Sequence, residues 1–178
     1  DVLAFTEDSA SVAQVAEEKG LPSFGHYSPM LSYAPNHLVS GQLVHWEAIY
    51  LDFFAKVYAG LYTNQNLDNV DYWWLLNDGA VELGADFGVP INPVYEETLK
   101  NYMVDDPVYG NISVYDLVFK LETAMADPEY AFSPFTGPIK DRQGNIRVPS
   151  SVRLSLEDLI TMEWAAEGIV GPWPGEPE

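Results

Sequence analysis

The sequence contains no cysteine and few basic residues. Its 178 residues include 8 Lys and Arg against 27 Asp and Glu, giving a formal net charge of −19. Without cysteine the chain can form neither disulfides nor thiolate sites. The shortage of basic residues argues against a nucleic-acid surface and against binding an anionic membrane through a basic patch. An acidic surface that repels other copies of the chain is the simplest interpretation.

Long apolar runs and catalytic motifs are also missing. No apolar stretch approaches the roughly 20 residues of a membrane-spanning helix, and the first residues, Asp1–Phe5, lack the basic segment of a signal peptide. The sequence has no Gly-x-Ser-x-Gly, Walker loop or His-Glu-x-x-His motif. Its three histidines, His26, His37 and His45, do not follow a zinc spacing. We therefore expect no metal, no cofactor and no enzymatic activity.

The first part of the chain alternates short extended runs with amphipathic stretches. Asp1–Phe5 is predicted to be a buried strand, a helix ending at Gly20 follows, and Pro22–Tyr27 is predicted to be a second strand. This order is typical of a βαβ unit with a right-handed crossover. The next elements predicted are a third strand at His37–His45 and an aromatic-rich helix, buried on more than one side, at Trp46–Gly60.

The middle of the chain predicts a strand, a turn and two helices. Tyr72–Leu76 is an apolar run of strand type, and Asn77-Asp78-Gly79 after it is a turn signal. Asn92 followed by Pro93 predicts a helix start, because Asn caps a helix and Pro suits its first position. Apolar residues at helical spacing predict another helix over Val114–Met125.

The C-terminal stretch has the most specific sequence pattern. Phe135–Pro149 predicts two short strands around a polar turn, and Ser155 with Asp158 predicts a capped helix. The pattern begins with Gly-Pro-Ile-Lys-Asp and continues with a Gly, a basic residue and Val-Pro. A Leu-rich helix and then Gly-Ile-Val-Gly follow. This order resembles the end of the basic-membrane-protein (BMP) family, which includes the PnrA-like purine nucleoside receptors. Members are extracytoplasmic substrate-binding proteins of ABC importers.

The resemblance implies a fold and an organisation. The fold would be a periplasmic-binding-protein-like three-layer α/β/α lobe, Rossmann-like with a mostly parallel sheet, from a two-lobe receptor. Residues 1–70 would form a βαβ-type segment of the ligand-binding lobe, and residues 71–178 would supply crossover strands and C-terminal helices. The resemblance covers about the C-terminal half of such a receptor. It therefore implies a fragment, a processed product or a separate subunit, with the N-terminal lobe in the same or another chain.

The resemblance also implies partners and a location. The partners would be a small-molecule ligand and an ABC transporter permease, and no nucleic-acid polymer is expected. The protein would lie in the periplasm or on the extracellular face of the cell membrane, lipid-anchored in its full-length precursor.

The candidate ligand-binding residues follow from this fold, because ligands contact the carboxyl ends of parallel strands and the loops after them. They are Glu7, Asp8, His26, Tyr27, Trp46, Asn77 and Asp78. Trp46 matches a family tryptophan and suits stacking on a ligand ring, or equally packing in the core. Each of the others also has a structural alternative: helix N-terminal acids for Glu7 and Asp8, a structural histidine for His26, and a turn for the last two.

The resemblance weakens at the residues that would hold a ribose. Family members use an acid after the second strand and a lysine before the turn, whereas here Gly25–Met30 has no acid and Asn77 replaces the lysine. The resemblance implies a purine nucleoside, a nucleobase or a similar small polar aromatic molecule as ligand, and these two departures favour a ligand without ribose. Two other functions stay open: an assembly subunit with apolar surface such as Tyr72–Trp74, and a hydrolase with two facing carboxylates, one of raised pKa.

Overall fold

The computed structural model describes residues 1–127 and 135–171, which belong to two compact units, Asp1–Pro128 and Glu129–Glu178. The first unit contains a four-stranded sheet in the order β1-β2-β3-β4. Its strands are β1 (Leu3–Ala4), β2 (Ser23–Tyr27), β3 (Leu38–Val44) and β4 (Val81–Leu83). The first three strands run parallel and β4 runs antiparallel to β3. This confirms the predicted α/β class with a mostly parallel sheet.

The described residues contain five α-helices and two short 3-10 helices, Leu67–Asn69 and Leu76–Asp78. The α-helices are α1 (Ser11–Lys19), α2 (Trp46–Tyr58), α3 (Pro93–Asn101), α4 (Val114–Ala126) and α5 (Leu156–Ile160). Helix α1 connects β1 to β2, as the predicted βαβ unit requires. It ends at Gly20, whose φ of 66° is left-handed and whose N–H bonds to the carbonyls of Ala16 and Glu17; glycine adopts this conformation without strain.

Small side chains let α1 approach the sheet closely. Ala13 and Ala16 are fully buried, and Ala13 joins a core cluster with Met30, Leu38 and Ala85. Burying apolar surface in this cluster is the main stabilising contribution to this side of the sheet. The parallel strands, and the loops at their carboxyl ends, are held on this core.

Three predictions about the first unit are wrong. The buried strand predicted at Asp1–Phe5 is reduced to Leu3–Ala4 at the edge of the sheet, where Leu3 is half-buried and Ala4 is exposed. Helix α2 has no buried residue, and Tyr58 is 96% exposed. Tyr72–Leu76 pairs with no strand in the described chain, although its side chains alternate between exposed and half-buried. Instead of strand pairing, the Tyr72 hydroxyl donates a hydrogen bond to Asp52 Oδ2 at 2.7 Å.

The predicted helix start at Asn92 is confirmed. The Asn92 side chain accepts a hydrogen bond from the Val94 N–H at 3.2 Å and caps α3. Its amide nitrogen donates to the carbonyl oxygens of Pro35 and Leu38, at 2.8 and 2.7 Å, so this buried residue also ties α3 to β3. After α3, the strands β5 (Met103–Asp106) and β6 (Gly110–Ser113) form an antiparallel hairpin that leads into α4.

The second unit contains the predicted hairpin and capped helix. Strands β7 (Ile139–Lys140) and β8 (Ile146–Val148) are antiparallel. Asp141 closes the hairpin with a buried carboxylate that accepts hydrogen bonds from the backbone N–H groups of Gln143 and Asn145. Ser155 and Asp158 form the predicted reciprocal cap of α5.

Candidate functional site

The candidate residues lie at one edge of the sheet. Glu7 and Asp8 follow β1, His26 and Tyr27 end β2, and Trp46 follows β3, so all come after the carboxyl ends of parallel strands. Because β4 is antiparallel to β3 and Val81 pairs with Val44, the turn that precedes β4 lies at the same edge. Adjacent strands are about 4.8 Å apart. The outer strands of the sheet are thus separated by about 14 Å at this edge.

Four aromatic side chains at this edge form what we call the ring cluster: His26, Tyr27, Trp46 and Tyr50. The imidazole of His26 and the ring of Tyr27 stack with centroids 3.7 Å apart. Tyr27 meets Trp46 edge-on at 6.1 Å, and Trp46 lies nearly parallel to Tyr50 at 6.4 Å. Tyr27, Trp46 and Tyr50 are 39%, 46% and 56% exposed. Such a row presents aromatic surface on which a planar ligand can stack.

Tyr27 has an unusual backbone conformation. Its φ is 60°, and the N–H of Ser28 donates to the carbonyl of His26 at 2.7 Å across it, which makes a tight three-residue turn. A bulky residue rarely adopts positive φ, because its Cβ crowds the backbone. Strain of this kind is concentrated at functional sites, where the surrounding structure holds it in place.

The imidazole of His26 is hydrogen-bonded to the neighbouring strand. His26 and Gln42 are register partners on β2 and β3. The Gln42 side-chain nitrogen lies 2.7 Å from His26 Nδ1. The polar side of the ring cluster is therefore anchored to β3.

The residue before Trp46 is held by two carboxylates. His45 Nδ1 lies 2.8 Å from Glu47 Oε1 and its Nε2 lies 3.1 Å from Glu82 Oε2. Hydrogen bonds that His45 donates to Glu47 and Glu82 raise its pKa above the ordinary value, since both carboxylates stabilise the imidazolium. The backbone N–H of His45 also donates to the Ala80 carbonyl at 2.9 Å. These contacts connect the ends of β3 and β4 to the start of α2.

A second set of contacts holds the other side of α2. Lys56 Nζ lies 2.6 Å from Asp52 Oδ2, which also accepts from the Tyr72 hydroxyl at 2.7 Å. The hydrogen bond from Lys56, followed by that from Tyr72, lowers the pKa of Asp52. Burial and the Asp52 carboxylate raise the pKa of the Tyr72 hydroxyl. The segment predicted as a strand thus supports the helix that carries Trp46 and Tyr50.

The structure brings some predicted residues together and leaves others apart. His26, Tyr27 and Trp46 join through ring contacts. Glu7 and Asp8 are exposed, and their side chains make no hydrogen bond within the described part of the chain. Asn77 is exposed, and Asp78 accepts from the Leu75 N–H at 2.9 Å, which closes the turn. Ligand contact stays a prediction for all seven.

Two residues of this region were missed in the sequence. Tyr50 follows Trp46 by four positions in a helix, and this spacing places both on one face; the aromatic stripe was instead assigned to the core. Gln42 is a polar residue inside an apolar strand. Its position opposite His26 depends on the register of β2 and β3, which local sequence does not determine.

Glu122 and Glu82 partly resemble the carboxylate pair that a hydrolase needs. Burial raises the pKa of Glu122, the Leu83 backbone N–H opposes this rise, and the charge of Glu82 adds to it. Glu82 is itself paired with His45. This arrangement therefore differs from two carboxylates that face a ligand.

Residues 1–127 and 135–171 contain neither a metal-binding cluster nor a membrane-spanning helix. Within these ranges, no three His, Cys, Asp or Glu side chains are grouped so that they could hold a metal ion. None of the helices there combines the length and apolar character needed to cross a membrane.

The chain resembles a protein of known binding activity. No protein-family model matches it. Over 169 residues it is 25% identical to a purine-binding protein of Brucella abortus (strain 2308). The match covers 95% of this chain and 40% of that protein, so the chain spans well under half of the relative's length. The relative is named for binding a purine, and not for catalysis.

Proposed function

We propose that the chain is part of an extracytoplasmic solute-binding protein and binds a purine nucleoside, a nucleobase or a similar small polar aromatic molecule. The observation that carries this proposal is the exposed ring cluster at the carboxyl ends of the parallel strands. The similarity to a purine-binding protein supports the choice of ligand.

The side chains at the carboxyl ends of the parallel strands suit a polar, uncharged aromatic ligand. Stacking on Trp46 or Tyr50 would supply affinity through the ring faces. The exposed side chains of Glu7, Asp8 and Asn77 offer acceptors for ligand N–H and amino groups. A phosphorylated ligand fits poorly, because these carboxylates and a net charge of −19 repel it.

The wider role in this proposal is delivery to an ABC importer. The partners would be the importer's permease and a second lobe, carried by the same or another chain, and the protein would lie in the periplasm or on the outer membrane face, lipid-anchored in its full-length form. The resemblance of the C-terminal stretch to BMP and PnrA-like receptors supports this role. We expect the protein in the periplasmic or surface-exposed fraction of cells, and its recovery from the cytosol would contradict the location.

Calorimetric titration with adenine, guanine, hypoxanthine and their nucleosides tests the ligand. We expect saturable binding of at least one purine, and weaker binding of the matching nucleotide and of cytosine. Trp46→Ala should weaken binding by about 5- to 150-fold, the loss typical of removing one stacked ring. The control Tyr58→Ala removes an aromatic residue of the same helix outside the ring cluster and should leave the affinity unchanged. The titration uses the full-length protein with its second lobe, and failure of every purine to bind to it would reject the proposal.

A second candidate function is assembly with another polypeptide. Leu51, Phe54 and Tyr58 on α2 are 70%, 65% and 96% exposed, and exposed apolar patches of this kind mark interaction surfaces. Sedimentation equilibrium distinguishes the candidates. Concentration-dependent association that Phe54→Glu abolishes, without purine binding, would favour assembly, whereas a monomer that binds a purine would favour the receptor.

A further inference from the structure

The hydrogen-bond chemistry of His26 is imposed from the neighbouring strand. As register partners on parallel strands, His26 and Gln42 extend from the same face of the sheet. Their side chains meet at Nδ1 of the imidazole and Nε2 of the amide, 2.7 Å apart. This distance is that of a short hydrogen bond.

The direction of that hydrogen bond determines the tautomer. The Gln42 amide is oriented with its nitrogen, and not its oxygen, toward the imidazole; in this orientation the nitrogen donates and His26 Nδ1 accepts. In a neutral imidazole the proton then resides on Nε2. Within the described part of the chain, no hydrogen-bond acceptor is paired with His26 Nε2. The Nε2–H group is thus a donor available to a ligand.

The ring is also held on its face. The Tyr27 ring stacks on the imidazole at 3.7 Å, with only 24° between the planes. The positive φ of Tyr27 belongs to the tight turn that ends β2 directly after His26. With its edge fixed by Gln42 and one face covered by Tyr27, the imidazole has little freedom to rotate, so its Nε2–H keeps a defined direction.

We propose that Gln42 is a positioning residue, which holds His26 in the Nε2–H tautomer and makes the site select ligands that carry a hydrogen-bond acceptor on the edge of their aromatic ring. The selectivity rests on the proposed function, whereas the tautomer does not. In adenine the ring acceptors are N1, N3 and N7, whereas a 6-oxopurine accepts at N3, N7 and O6.

Nitrogen NMR of the histidine side chains tests the tautomer without a ligand. At about pH 9, well above the ordinary pKa of histidine, we expect His26 to be the Nε2–H tautomer in the unmodified chain. Gln42→Leu should give a mixture of tautomers. Gln42→Glu should give the Nδ1–H tautomer, because a carboxylate only accepts. An Nδ1–H tautomer in the unmodified chain, which needs no folded variant to observe, would overturn the proposal.

Calorimetry with adenine, 1-deazaadenine, 3-deazaadenine and 7-deazaadenine tests the selectivity. Each analogue lacks one ring acceptor, and we expect one of them to bind about 3- to 10-fold more weakly than adenine, the effect of one neutral hydrogen bond. Gln42→Leu should weaken adenine binding by a similar factor and abolish the discrimination. The matched control Gln65→Leu replaces an exposed glutamine outside the sheet. This variant should retain the discrimination between adenine and its analogues.

The outcomes separate this inference from the proposed function. Equal discrimination in the unmodified chain and in Gln42→Leu would overturn the selectivity. An Nδ1–H tautomer together with normal purine binding would overturn only the inference. An Nε2–H tautomer without any purine binding would reject the proposed function, and the selectivity with it.

Discussion

At the residue scale, a single imidazole connects three elements of the first unit. His45 follows β3, and it pairs with Glu47 in α2 and Glu82 in β4. Only the doubly protonated ring can donate to both carboxylates at once. The charge state of His45 therefore affects how firmly the start of α2, which carries Trp46, is attached to the sheet.

This arrangement predicts a pH-dependent stability. Because the pKa of His45 is raised, its ion pairs contribute fully below about pH 6.5 and are lost as the pH rises through the raised value. We expect the melting temperature of the chain to fall over this range, measured by circular dichroism. His45→Gln should remove this part of the pH dependence. If the melting temperature changes with pH equally steeply in the unmodified chain and in His45→Gln, the prediction is wrong.

A second residue-scale prediction concerns Asp141 in the second unit. Burial alone would raise its pKa, but hydrogen bonds from Asn145 and Arg147 outweigh it and hold the pKa below its usual range. The stabilisation is present above about pH 3.9 and is lost as the pH falls through the lowered pKa. Asp141→Asn should lower the melting temperature at neutral pH, while exposed Asp68→Asn should not. Equal melting temperatures of Asp141→Asn and the unmodified chain would disprove this role.

At the element scale, the close approach of β2 and β3 depends on glycine. A Cβ added at Gly41 would lie 2.9 Å from the Gly25 carbonyl oxygen, which is rigid backbone. A Cβ added at Gly25 would meet Met30 Cγ at 3.2 Å, and this flexible side chain can move. The close spacing of β2, which carries His26, and β3, which carries Gln42, thus depends on the absence of a side chain at Gly41.

We therefore expect Gly41→Ala to be more harmful than Gly25→Ala. Overpacking against backbone should reduce the free energy of unfolding by about 1–3 kcal/mol, and moving β2 away from β3 should lengthen the hydrogen bond between His26 and Gln42. Urea denaturation measures the first effect, and purine titration the second. If both variants lose the same stability and affinity, the spacing of the strands does not depend on Gly41.

At the scale of the whole molecule, the dominant property is charge. A net charge of −19 means that folding brings many carboxylates closer together. Salt screens this repulsion over about 10 Å at 0.1 M. We expect the melting temperature to rise between about 0.01 and 0.15 M NaCl. A variant with Glu18→Gln and Asp68→Asn should show a smaller rise, and a melting temperature that falls with salt would show that local ion pairs dominate.

Local sequence was sufficient to predict the features that depend on a few neighbouring residues. The cap at Asn92, the reciprocal cap of Ser155 and Asp158, the glycine that ends α1 and the turn at 77–79 were all predictable. In each, donor and acceptor lie within about four residues of each other. The order of strands and helices also predicted the parallel βαβ unit. The division near residue 70 stays a prediction.

Local sequence was not sufficient to predict which surfaces are covered and which side chains meet. The aromatic stripe of α2 shows how apolar the helix is, but burial requires another element to pack on it, and the described chain leaves Phe54 and Tyr58 exposed. Likewise, Tyr72–Leu76 has strand composition but pairs with no strand there. The contact of His26 with Gln42 depends on a register set across the sheet. Such features depend on residues distant in sequence, because burial and pairing each require a partner surface.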